Sequence, residues 1–321
     1  MKELTALVRH NLQLLANSAP TPPPLHPAAE RAIEAFATGR KLRRDAVMLT
    51  AGNTSPIDLL LRTFCSPGRD NIVVSCPTVA DYARLAHVND VECRGVALDT
   101  DFRLEARRLL SATGVETKLL FIAAPSYPVG CMPKRSEVLR LCDNFGGIVV
   151  VDETFADFSR TPSYVTEIAR HPHLVVIGNF SAAFHLADVE VGYTIAQPAI
   201  IQYLSCSAPL YPLSTPTSET LTEWLTRRRL DVDKRVRWIL DEREKMTHAL
   251  QQLSLCRKIY PSSANYLLIR VDHAAELQAY LAERHITVTN CSDYPLCDNC
   301  LCLPIGLTAE NNALLSALRT L

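Results

Sequence analysis

Apolar residues along this chain fall into short blocks of two kinds. "AAERAIEAFATGR", "VADYARLAHV", "RSEVLRLCDNF" and "AAELQAYLAERH" space them at helical period. Between the first three and just after them lie "NIVVSC", "VECRGVAL", "TKLLFIAAP", "GIVVVDE", "LVVIGNF" and "VGYTIA", which read as short strands. Strands apolar on both faces and separated by helices predict a mainly parallel sheet covered on both sides. "DAVMLTAG" reads as a strand running into a turn, and "SPIDLLLRTFC" as a helix with Ser55 as N-cap and Pro56 at its first position.

The pattern changes twice. "MKELTALVRHNLQLL" predicts a short N-terminal helix, joined to the body by the proline-rich "SAPTPPPLHP". From about Pro212 one long helical stretch, "TSETLTEWLTRRRLDVDKRVRWILDEREKMTHALQQL", leads into a smaller unit. That unit holds the strands "ANYLLIRV", "ITVTN" and "CLCLPI" and closes on the helix "TAENNALLSALRT". The expected organisation is residues 1–27 as helix and linker, 28–211 as a large α/β domain, and 212–321 as connecting helix plus a small α+β domain.

Composition narrows the function. Among 321 residues, 48% hydrophobic content supplies a substantial core, and a net charge of −1 with interleaved signs gives no footprint for nucleic acid or an anionic membrane. The N-terminus is too polar for a signal peptide and the apolar runs are too short for a membrane span, so a cytoplasmic location is expected. Eleven cysteines in such a setting are expected to be reduced thiols, mostly buried singly.

"VVVDETFADF" ends a strand in two carboxylates, Asp152 and Glu153, at the sheet edge where open α/β folds bind ligands. "APSYPVG" ends the strand before it, and "NFSAAFHLADVEVGY" follows downstream. In that order the three segments resemble the fold-type-I PLP-dependent aminotransferases, with histidinol-phosphate aminotransferase nearest and the threonine-phosphate decarboxylases next. The resemblance implies the large domain of that fold, a mainly parallel sheet of the seven-stranded type, and a smaller C-terminal domain. It also implies a homodimer whose sites lie at the subunit interface.

The family's motifs are Asn-Pro-Thr-Gly, Asp-Glu-Ala-Tyr and Ser-Lys-Ala-(Phe/Trp)-Gly followed by Arg-x-Gly. Matched to them, Ala182 stands where a lysine carries PLP as a Schiff base and moves the proton. No lysine occurs between Lys134 and Lys234. Glu190 takes the place of the phosphate arginine, Tyr127 that of the asparagine on the PLP phenolic oxygen, and Phe155 that of the tyrosine sharing it. Val79 replaces the stacking aromatic, Cys302 the carboxylate arginine and Thr289 an arginine on the substrate-phosphate side. Asp152 is retained where the family protonates the ring nitrogen, and Ser181 where a hydroxyl meets the phosphate. The "GNTS" turn, with Thr54 and Ser55, still offers backbone N–H groups to an anion.

The expectation is a protein of this fold that no longer transaminates. Its role would be binding or regulation of an unknown small ligand, as a homodimer or paired with an active paralogue. PLP binding would be non-covalent if it occurs, through Asp152, Ser181, Thr54, Ser55 and Tyr127, in a transferase or lyase with His185 as base. Cys291, Cys297, Cys300 and Cys302 offer a further reading, a zinc or thiol site. Tyr127 and Phe155 are expected to fill the volume that PLP would occupy.

Overall fold

The computed structural model describes residues 14, 17, 21, 22, 24–184, 186–208 and 213–321. The expected N-terminal helix apart from Leu14, and residues 18–20 and 23 of its linker, lie outside the described residues, as does His185.

Seven strands form the main sheet: β1 (Val47–Ala51), β2 (Asn71–Cys76), β3 (Glu92–Ala97), β4 (Thr117–Ala123), β5 (Ile148–Asp152), β6 (Leu174–Asn179) and β7 (Val191–Ile195). Their order is β1-β7-β6-β5-β4-β2-β3. The pairs β2/β3, β2/β4, β4/β5 and β5/β6 are parallel, and β7 alone runs against its neighbours β1 and β6. The strands alternate their side chains between two cores, as the pleat requires. Val149 and Val151 of β5 join the core that also holds Ala32, Phe36, Val138 and Leu141. Ile148 and Val150 join the opposite one, with Ile57, Leu60, Tyr82 and Leu204.

Helices α1 (Pro27–Gly39), α4 (Ala106–Ser111) and α5 (Arg135–Asn144) contribute to the first core, and α2 (Ser55–Phe64), α3 (Asp81–Val88) and α6 (Pro198–Ser207) to the second. Two corrections to the sequence reading concern helix ends. Thr54, not Ser55, is the N-cap of α2, because the Ser55 hydroxyl turns back to the Ala51 carbonyl. The long helical stretch breaks into α7 (Thr215–Thr226) and α8 (Arg229–Leu250). At the break Arg228 folds back, its Nε donating to Glu223 at 3.1 Å and its guanidinium covering Trp224.

The small unit is an antiparallel sheet, β10-β11-β9-β8, built from β8 (Lys258–Ile259), β9 (Tyr266–Arg270), β10 (Thr289–Asn290) and β11 (Cys300–Pro304). Helices α9 (Ala274–Ala282) and α10 (Thr308–Arg319) accompany it. It docks on the large unit through the turn after β4. The Ser263 N–H donates to the Gly130 carbonyl at 2.7 Å, and the Tyr266 hydroxyl donates to the Ser126 carbonyl at 3.0 Å. Gly130, at φ +81, allows this approach, since a Cβ there would lie 3.2 Å from the Ser262 Cα. Among the described residues no helix is long and apolar enough to cross a membrane.

Two stability predictions follow from the packing. A methyl on Gly192 would stand 2.7 Å from the Pro56 ring and 2.9 Å from the Gly52 carbonyl. Gly192→Ala is expected to cost about 1–3 kcal/mol, read from chemical denaturation. Acid should also weaken the fold. Burial, assisted by the charge of His171, depresses His173 from its ordinary 6.5 to about 4. As pH falls through 6.5 the unfolded chain takes up this proton while the folded chain refuses it. Stability should therefore drop between pH 6.5 and 4 by up to about 3 kcal/mol. A pH series of denaturation midpoints should show that component in the native chain and lack it in His173→Phe.

Candidate functional site

Strands β4, β5 and β6 end side by side, and the turn entering α2 closes over them. They frame a cavity of about 190 Å³, walled by Asn53, Thr54, Asp81, Tyr127, Asp152 and Phe155 among others. This is the carboxyl edge of a parallel sheet, the position at which open α/β folds bind ligands.

Asp152 lies at the floor. Its Oδ2 accepts the Tyr82 hydroxyl at 2.8 Å and its Oδ1 accepts the Thr154 N–H at 2.9 Å. Burial pushes this carboxyl above its usual range, and the two donors oppose the shift. The same burial, reinforced by the Asp152 charge, holds the Tyr82 phenol well above its ordinary value, so it remains a donor. The next carboxylate is separated from the cavity by the strand pleat. Glu153 accepts the Ser163 hydroxyl at 2.7 Å and the Tyr164 N–H at 2.6 Å, and thereby ties down the following loop. Of the two carboxylates in "VVVDETFADF", one faces the cavity and one is structural.

Two of the hydroxyls singled out from sequence, those of Ser181 and Ser55, are engaged inside the protein. Ser181 donates to Asn53 Oδ1 at 2.9 Å, and its own N–H donates to Asn179 Oδ1 at 3.1 Å. Ser55 is held by Ala51. Thr54 makes no side-chain cap bond and lines the cavity. Ala182 follows Asn179, a cavity residue, by three positions and packs on the apolar core. At the position matched to the phosphate arginine, the Glu190 carbonyl accepts the Gly52 N–H at 2.5 Å, which ties the strand before β7 to the α2 turn.

Tyr127 and Phe155 stand on the wall and do not fill the space, which corrects the sequence expectation. Both rings pack edge-on against Tyr266, at 5.5 Å and 5.2 Å between centroids, and Tyr127 also meets Tyr294 at 6.1 Å. That packing draws the rings toward the small unit and leaves the cavity beside them. Thr289 and Cys302, which the resemblance sets at two arginine positions, face each other across β10 and β11. Among the described residues no lysine or arginine lines the cavity.

Sequence reasoning did not single out Tyr82. It sits two positions before an arginine in "ADYAR", where a phenol on a helix looks like ordinary surface, yet it is fully buried. The four C-terminal cysteines are buried as well, and among the described residues no three Cys, His, Asp or Glu side chains come together as a metal-binding group.

Comparison with known proteins agrees with this geometry. Residues 9–318 match the family model for aminotransferase class I and II. The chain is 34% identical over 289 residues to a histidinol-phosphate aminotransferase of Flavobacterium johnsoniae, covering 89% of this chain and 82% of that one. It is 35% identical to another of that name from Bacteroides fragilis, covering 87% and 81%. Among solved structures, the histidinol-phosphate aminotransferase of Clostridium acetobutylicum superposes with a TM-score of 0.84 at 19% identity, over 98% of this chain and 95% of the other. The L-threonine-O-3-phosphate decarboxylase of Porphyromonas gingivalis gives 0.75 at 19% identity, over 99% and 94%. The sheet order, the cavity at its carboxyl edge and these matches agree: the chain belongs to the PLP-dependent aminotransferase class I and II family.

Proposed function

We propose that this family member does not transaminate and that its cavity serves a binding or regulatory role. The observation that carries the reading is the alanine at position 182, with no lysine between Lys134 and Lys234. A methyl group forms no imine and moves no proton.

The cavity walls support the same reading when tested against PLP. The ring-nitrogen end fits, because Asp152 is a buried carboxylate held by two donors. The phosphate end does not. Its matched arginine is Glu190, the Ser181 and Ser55 hydroxyls are spent on Asn53 and Ala51, and the lining carries Asp81 and Asp152 with no cation among the described residues. Two like unit charges about 4 Å apart repel by roughly 4 kcal/mol at an effective dielectric constant of 20. The residues present therefore do not fit the phosphorylated cofactor held as an imine.

A second reading, in which PLP sits non-covalently on Asp152, draws on the retained carboxylate alone. Assembly as a homodimer, or with an active paralogue, is proposed from the family's habit.

A PLP titration of the purified chain, followed by absorbance and by intact mass after borohydride, tests both readings. No saturable spectral change and no reducible adduct are expected. Saturation without an adduct would favour the second reading, and an adduct at one lysine would refute the first. A gain-of-function pair probes the same chemistry. Ala182→Lys alone is expected to give a weak reducible adduct, and adding Glu190→Arg should raise PLP affinity by about tenfold or more through the reversed charge.

A further inference from the structure

The cysteine-rich stretch after β10 is not used by the site described above, and the fold brings two of its thiols, Cys297 and Cys300, to the ends of one turn. Thr289 faces Cys302 and Asn290 faces Leu301 in the β10–β11 ladder, and the Cys291 N–H continues it by donating to the Cys300 carbonyl at 2.8 Å. Between these ends, the Cys300 N–H donates to the Cys297 carbonyl at 2.9 Å. That bond closes a four-residue turn over Cys297-Asp298-Asn299-Cys300, with Asn299 in the left-handed region at φ 53. A turn of this kind holds its end Cα atoms within about 7 Å. A disulfide spans about 4.4–6.8 Å between Cα atoms, so the two ranges largely overlap. The Cys300 thiol donates to the Asp298 carbonyl inside this turn at 3.6 Å, and the Cys291 thiol donates to the Thr289 carbonyl at 3.6 Å.

A guanidinium accompanies this pair. Arg270 is the partner of Cys300 in the β9–β11 register, and its Nη2 donates to the Leu296 carbonyl at 2.9 Å, just before the turn. Its Nε is buried without a hydrogen-bond partner. The neighbouring Cys297 thiol, with Arg270 and the Tyr260 hydroxyl in support, outweighs burial and lowers the Cys300 thiol below its ordinary value. Cys297 moves strongly upward and keeps its proton. Burial is the leading cause that drives Cys65, Cys93, Cys142 and Cys256 upward. Arg270, opposite Cys300 with an unpartnered Nε, marks Cys300 as the sulfur that a cation can favour as thiolate, with Cys297 across the turn as its partner.

We propose that Cys297 and Cys300 are a redox-active dithiol, in which the Cys300 thiolate is oxidised by a small hydroperoxide and Cys297 closes a reversible disulfide. The Cys300 sulfur attacks the terminal peroxide oxygen. An S–O bond forms, the O–O bond breaks, and the departing alkoxide or hydroxide takes a proton from water. The Cys297 sulfur then displaces the hydroxyl from Cys300. The S–S bond forms, the S–O bond breaks, and the hydroxyl leaves as water with the Cys297 proton. Two thiols lose two electrons and the hydroperoxide gains them. Both sulfurs are fully buried beneath the exposed Asp298 and Asn299, which restricts the site to small oxidants. This inference is independent of whether the large cavity binds PLP.

The test uses the full reduced chain and one equivalent of hydrogen peroxide, followed by unfolding in N-ethylmaleimide, digestion and mass mapping. The expected product is a Cys297–Cys300 bridge, lighter by two hydrogens, which appears before any other cysteine is lost and is reversed by dithiothreitol. Cys291→Ser and Cys302→Ser should leave it unchanged, and Cys297→Ser should leave a dimedone-reactive Cys300. Arg270→Gln provides a readout that does not depend on either cysteine variant folding. It should move the pH midpoint of Cys300 oxidation upward and slow the reaction at neutral pH by about tenfold. Earlier bridging of Cys291 with Cys302, oxidation spread evenly over the cysteines, or an inert dithiol in large peroxide excess would each overturn the proposal.

Discussion

The hydrogen bond from Tyr82 to Asp152 is the constraint around which the cavity is arranged. A carboxylate taken into an apolar sheet edge without partners costs several kcal/mol. Here the Tyr82 hydroxyl and the Thr154 N–H supply donors, and they come from opposite sides of the site. The Tyr82 ring lies on Phe121 at 5.0 Å, so the bond fixes the start of α3 against β4 and β5 together. The cavity floor is thereby held in place by protein groups alone. It needs no cationic partner to stay folded, and among the described residues none lines it.

Much of the fold was legible because its signals are local. Continuous apolar strands such as "NIVVSC" and "GIVVVDE" have only one good environment, a sheet covered on both faces, and they occupy it as β2 and β5. The reversed direction of β7 was not legible, since an apolar run such as "VGYTIA" carries no mark of its direction, which depends on the connection that feeds it. The break between α7 and α8 was hidden for another reason. Arginines favour helix, and at the interruption Arg228 contacts Glu223 and Trp224, which a linear pattern does not show.

The site was legible as a list of substitutions and illegible as a shape. Ala182, Glu190, Tyr127 and Phe155 could be read as lost functional groups from their positions in three motifs. Whether a large ring fills a cavity or borders it depends on what draws it aside, and Tyr266 and Tyr294 come from a part of the chain remote in sequence. The same limit applies to hydroxyls. Ser181 and Ser55 look available in sequence, and only the folded chain shows that Asn53 and Ala51 already accept from them.

Such a cavity can persist while its charges change because the two depend on different parts of the molecule. Its frame is set by strand ends, by the Gly52–Glu190 main-chain bond, and by glycines at positions 130 and 192 where a side chain would not fit. The cores beneath it are apolar and built from residues of many elements. Removing a lysine or an arginine from a buried site relieves desolvation cost and leaves that frame untouched. Filling the cavity would instead require new bulk to enter beside rings already committed to Tyr266. The physical bias is therefore toward a stable fold that keeps its pocket when charged residues around it are replaced.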